Sequence, residues 1–311
     1  MKQKNAFKNK KRLTFSEIWQ DVVRNKDCYL YLFPFFSLFF LFTVLPVLVS
    51  VFLSFTYFNT VEPPRFIGIT NYINLFINDD LFITSIKNTI VISVFAGPLG
   101  YLLSFFFAWI ISELPPKLRA VMTTILYAPS IAGSAYLVWT VLFSGDSNGY
   151  LNSWMIEFGI ITEPIQFLTT TEYMMPILII VMIWMSMGTG FLSMVAGFQT
   201  IDHSMYEAGY LDGINNRWQE LWFITLPHMK SHLMFSAILS ITGTFGVGSV
   251  ATALFGFPSS NYATHTIVNH LQDYGTTRYE MGYACAIATL LFILCIGVNK
   301  LIRNLIEKVG T

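Results

Sequence analysis

Residues 201–230 read IDHSMYEAGYLDGINNRWQELWFITLPHMK, and the segments that flank this stretch decide the fold. Met174–Phe198 lies before it and Leu233–Phe257 after it, each long, apolar and free of Asp, Glu, Lys and Arg. A bilayer core about 30 Å thick needs roughly 20 such residues in a helix, so both neighbours are expected to span a membrane and the quoted stretch to lie at one face. Its own pattern predicts two short helices. Ser204-x-x-Glu207 has the spacing of a capping box, opening a helix from Met205 to Leu211 that Gly213 ends in a left-handed conformation. Asn216 is placed to cap a second helix through Trp218–Phe223, which Leu226-Pro227 is expected to end.

Working outward, four further segments meet the same criterion: Tyr29–Phe55, Asn88–Ser112, Ala120–Phe143 and Met281–Asn299. Composition agrees, since 54% of the 311 residues are AVILMFWYC and only 12% are DEKR, against about 25% charged in a soluble domain. The fold class is therefore an all-α polytopic membrane protein with six spans. The first apolar run is too long for a signal-peptide core and is expected to stay as an anchor. Prolines and glycines interrupt the spans, as where helices bend or line a cavity. The densest such run is Thr242-Gly243-Thr244-Phe245-Gly246-Val247-Gly248-Ser249 in the fifth.

Charge sets the orientation. Fifteen of the 18 Lys and Arg fall before span one, between spans two and three, between four and five, or after span six; Arg65, Lys87 and Arg278 lie on the other side. The positive-inside rule then makes both termini cytoplasmic, with external loops near 56–87, 144–173 and 258–280. The chain divides into a basic segment, 1–28, a six-span body, 29–303, carrying the loop 199–231, and a tail, 304–311. In the first of these, Phe15, Ile18, Trp19 and Val22 recur at helical spacing beside basic residues, a pattern suited to a helix lying on acidic membrane lipid.

Several functions are excluded or weakened. No glycine precedes a lysine, so there is no phosphate loop, and no nucleophile, paired carboxylate or other catalytic set emerges. Cys28, Cys285 and Cys295 have neither disulfide nor metal spacing. Net charge is zero, which gives no reason to expect nucleic acid. The six spans hold no Asp, Glu, Lys or Arg, whereas ion-driven carriers keep titrating groups near the midplane, and an ion filter would need rings of charge or carbonyls. An ATP-independent carrier or channel is the alternative reading, and a membrane scaffold that recruits a cytosolic protein is a third.

The quoted loop resembles the EAA loop of the permease subunits of binding-protein-dependent ABC importers, the maltose-type carbohydrate branch in particular. The pattern is E-A-A, three residues, G, nine residues, I-x-L-P. Glu207-Ala208-Gly209, Asp212-Gly213 and Ile224-Thr225-Leu226-Pro227 follow it, with Gly209 in place of the second alanine and ten residues between Gly213 and Ile224. Phe66-Ile67-Gly68-Ile69-Thr70-Asn71-Tyr72, Asn88-Thr89 and Gly149-Tyr150-Leu151-Asn152 look like the family's other signatures. The resemblance implies the type I importer fold and a non-enzymatic subunit in a bacterial cell membrane. The implied partners are a second, related permease, two ATP-binding subunits and an extracellular solute-binding protein. ATP and Mg would be bound by the ATPase, with no cofactor on this chain. Carried over, Glu207, Ala208, Gly209, Asp212, Gly213, Leu226 and Pro227 would couple the permease to that ATPase.

The solute implied is a sugar or oligosaccharide, and the charge-free spans favour a neutral one. Trp184, Ser186, Thr189, Ser193, Thr242, Thr244 and Phe245 are the candidate pathway residues, since aromatic faces and neutral hydrogen-bonding groups hold sugars; helix packing is the competing explanation for each. His265 and His270, five apart in the last external loop, lack the spacing of a zinc pair and are expected to be solvent-exposed or to face the binding protein.

Overall fold

The computed structural model describes residue 24 and residues 26–306; the expected helix around Phe15–Val22 and residues 307–311 of the tail lie outside them. The chain divides into two compact units, Met1–Phe52 and Leu53–Thr311.

The described part of the first unit is one apolar helix, α-helical over Lys26–Phe39, π-helical over Phe40–Val44 and α-helical again from Leu45. The π-turn immediately precedes Pro46, whose missing N–H and ring would conflict with a regular turn.

The second unit opens with a two-stranded antiparallel ribbon, Thr56–Tyr57 against Arg65–Phe66, an addition to the expected all-α architecture. A short helix, Thr70–Ile77, leads to the second-span helix, Asp80–Ser112, of 33 residues. That helix begins eight residues before the expected Asn88 because the Asp79 side chain accepts from the Phe82 amide and caps it there. At 1.5 Å per residue it is roughly 50 Å long.

Three of the expected spans are broken. The third is Pro116–Ile131 and Ala135–Leu142 meeting at 87°, and the fifth is Lys230–Phe245 and Gly248–Phe255 meeting at 47°. The fourth, Thr171–Gln199 overall, unwinds at Ser186–Gly188 between Thr171–Met185 and Thr189–Gln199. The sixth is continuous from Met281 to Ile306. Among the described residues, four helices are long and apolar enough to cross a membrane, or six if each bent pair is one span.

Three apolar clusters hold the second unit together. One joins Ile92, Phe143, Val181 and Val247 of spans two to five. Another joins Ala108, Phe191, Met194 and Leu233 to Ile224 of the loop quoted above. The third packs Leu75, Phe82, Ile267 and Ile287 beneath the expected external loops. Buried asparagines tie those loops down. Asn71 donates to the carbonyls of Ser54 and Thr56, Asn88 to that of His265, and Asn152 to those of Ser144 and Ile165 while accepting from the Ile165 amide. Thr89 Oγ1 accepts from the Ile267 amide. Buried backbone groups without partners are costly, so these side chains fix the course of segments that have little regular structure.

Candidate coupling site and transport pathway

The loop between spans four and five folds as a rigid elbow. Its first helix runs His203–Leu211, starting two residues earlier than expected, because the cap is Asp202, whose carboxylate accepts from the Ser204 amide at 3.0 Å. That corrects the capping box read at Ser204-x-x-Glu207, and Glu207 stands exposed on the helix surface. The bond to the Ser204 amide also holds Asp202 below the usual carboxylate range. Gly213 ends the helix at φ +92°, as its sequence position predicts.

Asn216 caps the second helix by accepting from the Trp218 amide. Contrary to expectation, Leu226-Pro227 does not end it. The chain passes from an α-turn, Arg217–Glu220, through a π-turn, Leu221–Thr225, into Leu226–His228. The Leu226 amide donates to the Leu221 carbonyl, five residues back. The wider turn accommodates Pro227 as the earlier one does Pro46.

The two arms are locked together. Gly209 is buried, and a Cβ built there would sit 2.7 Å from Ile224 Cδ1 and 3.3 Å from Ile214 Cδ1. The Tyr206 hydroxyl lies 3.1 Å from Thr225 Oγ1. Glu220, only 4% exposed, accepts from Arg217 at 3.2 Å, and its carboxylate, facing the Tyr210 hydroxyl, raises that phenol above its ordinary value. Arg217 also meets Glu113, just past the C-terminal end of the second-span helix, at 3.4 Å. Glu113 foremost, with Glu220, holds the guanidinium protonated beyond its ordinary range. Trp218 packs on Trp109 with ring centroids 5.4 Å apart. A cleft of about 790 Å³ lies between the elbow and the 113–119 turn.

Glu207, Ala208, Asp212 and Gly213 lie on the outer surface of this elbow, Gly209 faces inward, and Leu226 and Pro227 are half-buried. Leu211 is 90% exposed beside exposed Tyr210. Glu113, Tyr210, Arg217 and Glu220 were not singled out by the sequence. Glu220 had one legible signal, a carboxylate three residues after an arginine inside an amphipathic stretch.

The candidate pathway residues separate into groups. Ser186, at the fourth-span break, donates to the Gly100 carbonyl at 3.1 Å, and Ser130 donates to the carbonyls of Met185 and Met187 at 3.1 and 3.0 Å. Ser130 of span three thus satisfies backbone carbonyls at the break, and Ser186 ties the break to span two. Trp184 sits edge-on to Trp139 at 5.6 Å. Thr189 and Thr242 are exposed, and Thr242 lies 3.2 Å from Asn299 Oδ1 of span six. Ser193 lies 3.1 Å from His232 Nδ1. Thr244 and Phe245 are buried, Thr244 donating to Ser93 of span two at 3.1 Å. Within the Thr242–Ser249 run the residues turned outward are Thr242, Gly243, Gly246 and Ser249.

His265 and His270 are not exposed. They are 3% and 1% accessible, His265 Nε2 lies 3.1 Å from His270 Nδ1, and the Tyr283 hydroxyl joins them by donating to Asp79. Among the described residues no group of three or more metal-binding side chains occurs.

With this geometry in place, comparison with known proteins is informative. The lactose transport system permease protein LacF of Rhizobium radiobacter is 30% identical over 88% of this chain and 90% of its own. The arabinooligosaccharides transport system permease protein AraP of Bacillus subtilis is 27% identical over 90% of this chain and 89% of its own. The crystal structure of a bacterial ABC transporter involved in the import of the acidic polysaccharide alginate shares the fold, with a TM-score of 0.74 and 24% identity over 94% of this chain and 99% of that one. Residues 28–308 match the family described as the inner membrane component of binding-protein-dependent transport systems, and the chain belongs to that family.

Proposed function

We propose that the chain is the permease subunit of an ATP-driven importer that moves a sugar or oligosaccharide delivered by an extracellular solute-binding protein. It pairs with a second permease, as a heterodimer, and with two ATP-binding subunits that bind ATP and Mg and carry out the hydrolysis. It sits in a bacterial plasma membrane with both termini cytoplasmic.

The observation that carries the reading is the elbow. Glu207, Ala208, Tyr210 and Leu211 form an exposed edge on a helix braced from behind by Ile224, Thr225 and Glu220. A rigid edge of this kind can transmit a push, whereas a flexible loop would absorb it. The exposed Glu207 offers a carboxylate to a basic groove on the ATPase.

The pathway follows from the breaks. Irregular backbone at membrane depth is tolerated only against protein or a water-filled cavity, yet Ala132, Gly133 and Ser134 at the 87° bend are exposed in the single chain. We place these residues, with Trp184, Thr189, Thr242, Gly246 and Ser249, along the route shared with the second permease. Ser186 and Ser193 support it from behind, and Thr244 and Phe245 brace span five from within. The absence of Asp, Glu, Lys and Arg from the apolar spans fits a neutral solute, and the names of the lactose and arabinooligosaccharide relatives support the carbohydrate class.

The test is uptake of labelled oligosaccharide into proteoliposomes holding this chain with its second permease and ATPase. Uptake is expected to require ATP inside the cell-equivalent compartment and the binding protein on the opposite side. Uptake by this chain alone, without ATP, would instead establish the carrier reading.

A further inference from the structure

One arginine joins three separate pieces of the cytoplasmic face. Arg217 Nη1 reaches Glu220 Oε2 at 3.2 Å, and the same guanidinium reaches Glu113 Oε1 at 3.4 Å. The Glu220 carboxylate also faces Tyr210, on the first arm of the elbow, across the same cleft. The guanidinium therefore links the first arm, the second arm and the second-span helix. Its neighbour Trp218 adds an indole contact to Trp109 on that same helix.

The second-span helix is an unusual thing to be tied to. It runs without interruption from Asp79 to Glu113, while spans three, four and five are all broken near their middles. At its other end Asp79 receives His270 and Tyr283 from the last expected external loop and the start of span six. A displacement of the elbow through Arg217 therefore acts on a rod whose far end carries the external loops.

We propose that Arg217 is a positioning residue for energy coupling: its bridge between Glu220 and Glu113 makes the elbow and the second-span helix move together. This rests on reading His203–Leu211 as the helix that meets the ATPase. An exposed ion pair contributes little by itself, but Glu220 is buried, and a buried carboxylate stripped of its partner is left uncompensated. Arg217 serves both acids at once because its planar fork presents several donors in fixed directions, which a lysine ammonium cannot do.

The experiment uses the complete importer, with both permeases, ATPase and binding protein, in proteoliposomes, and measures ATP hydrolysed per solute imported. Arg217→Gln and Glu113→Gln are each expected to raise that ratio about fivefold or more, in the range of ordinary coupling energies, with basal ATPase and its KM for ATP unchanged. Arg217→Lys should fall between them and the parent. The double variant Glu113→Gln with Arg217→Gln should be no worse than Arg217→Gln alone, since both remove one bridge.

An unchanged ratio in Arg217→Gln, or an additive loss in the double variant, would overturn the proposal. Glu113 is exposed, so Glu113→Gln assembles and decides the matter even if Arg217→Gln does not. Cross-linking from Ala208→Cys to the ATPase separates the two levels of inference. If it persists while the ratio stays unchanged, the role of Arg217 alone fails. If it is absent from the otherwise unaltered importer, the reading of the elbow fails with it.

Discussion

His270 Nε2 lies 2.9 Å from Asp79 Oδ2, joining residues 191 positions apart in the sequence and placing an imidazole against the cap of the longest helix. His270 is deeply buried and Asp79 partly so, and the pair is continued by His265. Burial opposes the ionisation of Asp79, yet the Phe82 amide, His270 and the Tyr283 hydroxyl together hold it below the usual carboxylate range.

The histidines are expected to make the 258–280 segment pH-sensitive. Burial, reinforced by His270, lowers His265 to about 4, and burial lowers His270 as well, against the attraction of Asp79. A histidine with a depressed folded value binds its proton in the unfolded chain first. Its contribution is thus complete above about 6.5 and erodes as pH falls below that, by about 1.4 kcal/mol per pH unit per proton until the folded value is reached. Hydrogen-exchange protection of residues 256–280, taken relative to the intrinsic rate at each pH, should fall between pH 7.5 and 5, and His265→Gln should flatten that dependence. Equal protection at both pH values in the parent would refute this.

Asp202→Ala should destabilise the first arm of the elbow by about 1 kcal/mol, the usual cost of a lost cap. Glu207→Ala should change stability by less than about 0.5 kcal/mol, as an exposed substitution does, while lowering transport and stimulated ATPase. Thermal unfolding of the purified importer beside its ATPase rate distinguishes the two effects.

Gly209→Ala places a methyl group against Ile224 Cδ1 and should cost about 1 kcal/mol or more through overpacking. Ile224→Val removes the offending methyl, so the double variant should be more stable than the sum of the singles allows. Strict additivity in a thermal-unfolding cycle would mean that the two arms do not meet there.

Asn152→Ala should destabilise the second unit by about 3 kcal/mol, because it leaves the carbonyls of Ser144 and Ile165 and the Ile165 amide without their partner. Asn152→Asp can still accept from the amide but cannot donate to the carbonyls, and should be nearly as damaging. Wild-type melting behaviour in either variant would contradict the assigned bonds.

Much of the plan is legible in local pattern. The turn at Gly213 and the cap at Asn216 each depend on a few consecutive residues, and each is where the sequence puts it; the apolar segments are helical, but their ends shift and three of them break. The cap of the first arm was misplaced because Asp202 and Ser204 are both good caps, and only the path of the incoming chain selects between them. The π-turn before Pro227 was invisible because its register is set by Ile224 packing against Gly209 and Thr225 meeting Tyr206. His265 and His270 were misjudged as exposed because their partner, Asp79, is distant in sequence.

By itself the sequence determined that this chain lives in a bilayer and that the elbow lies between two of its apolar segments, since desolvation acts on each segment independently of the others. Only the tertiary structure decided where the helices break, which of Thr242 and Thr244 turns outward, and which acids Arg217 meets. Those outcomes depend on carbonyls and carboxylates finding partners from remote segments, and one segment read alone does not contain its partner.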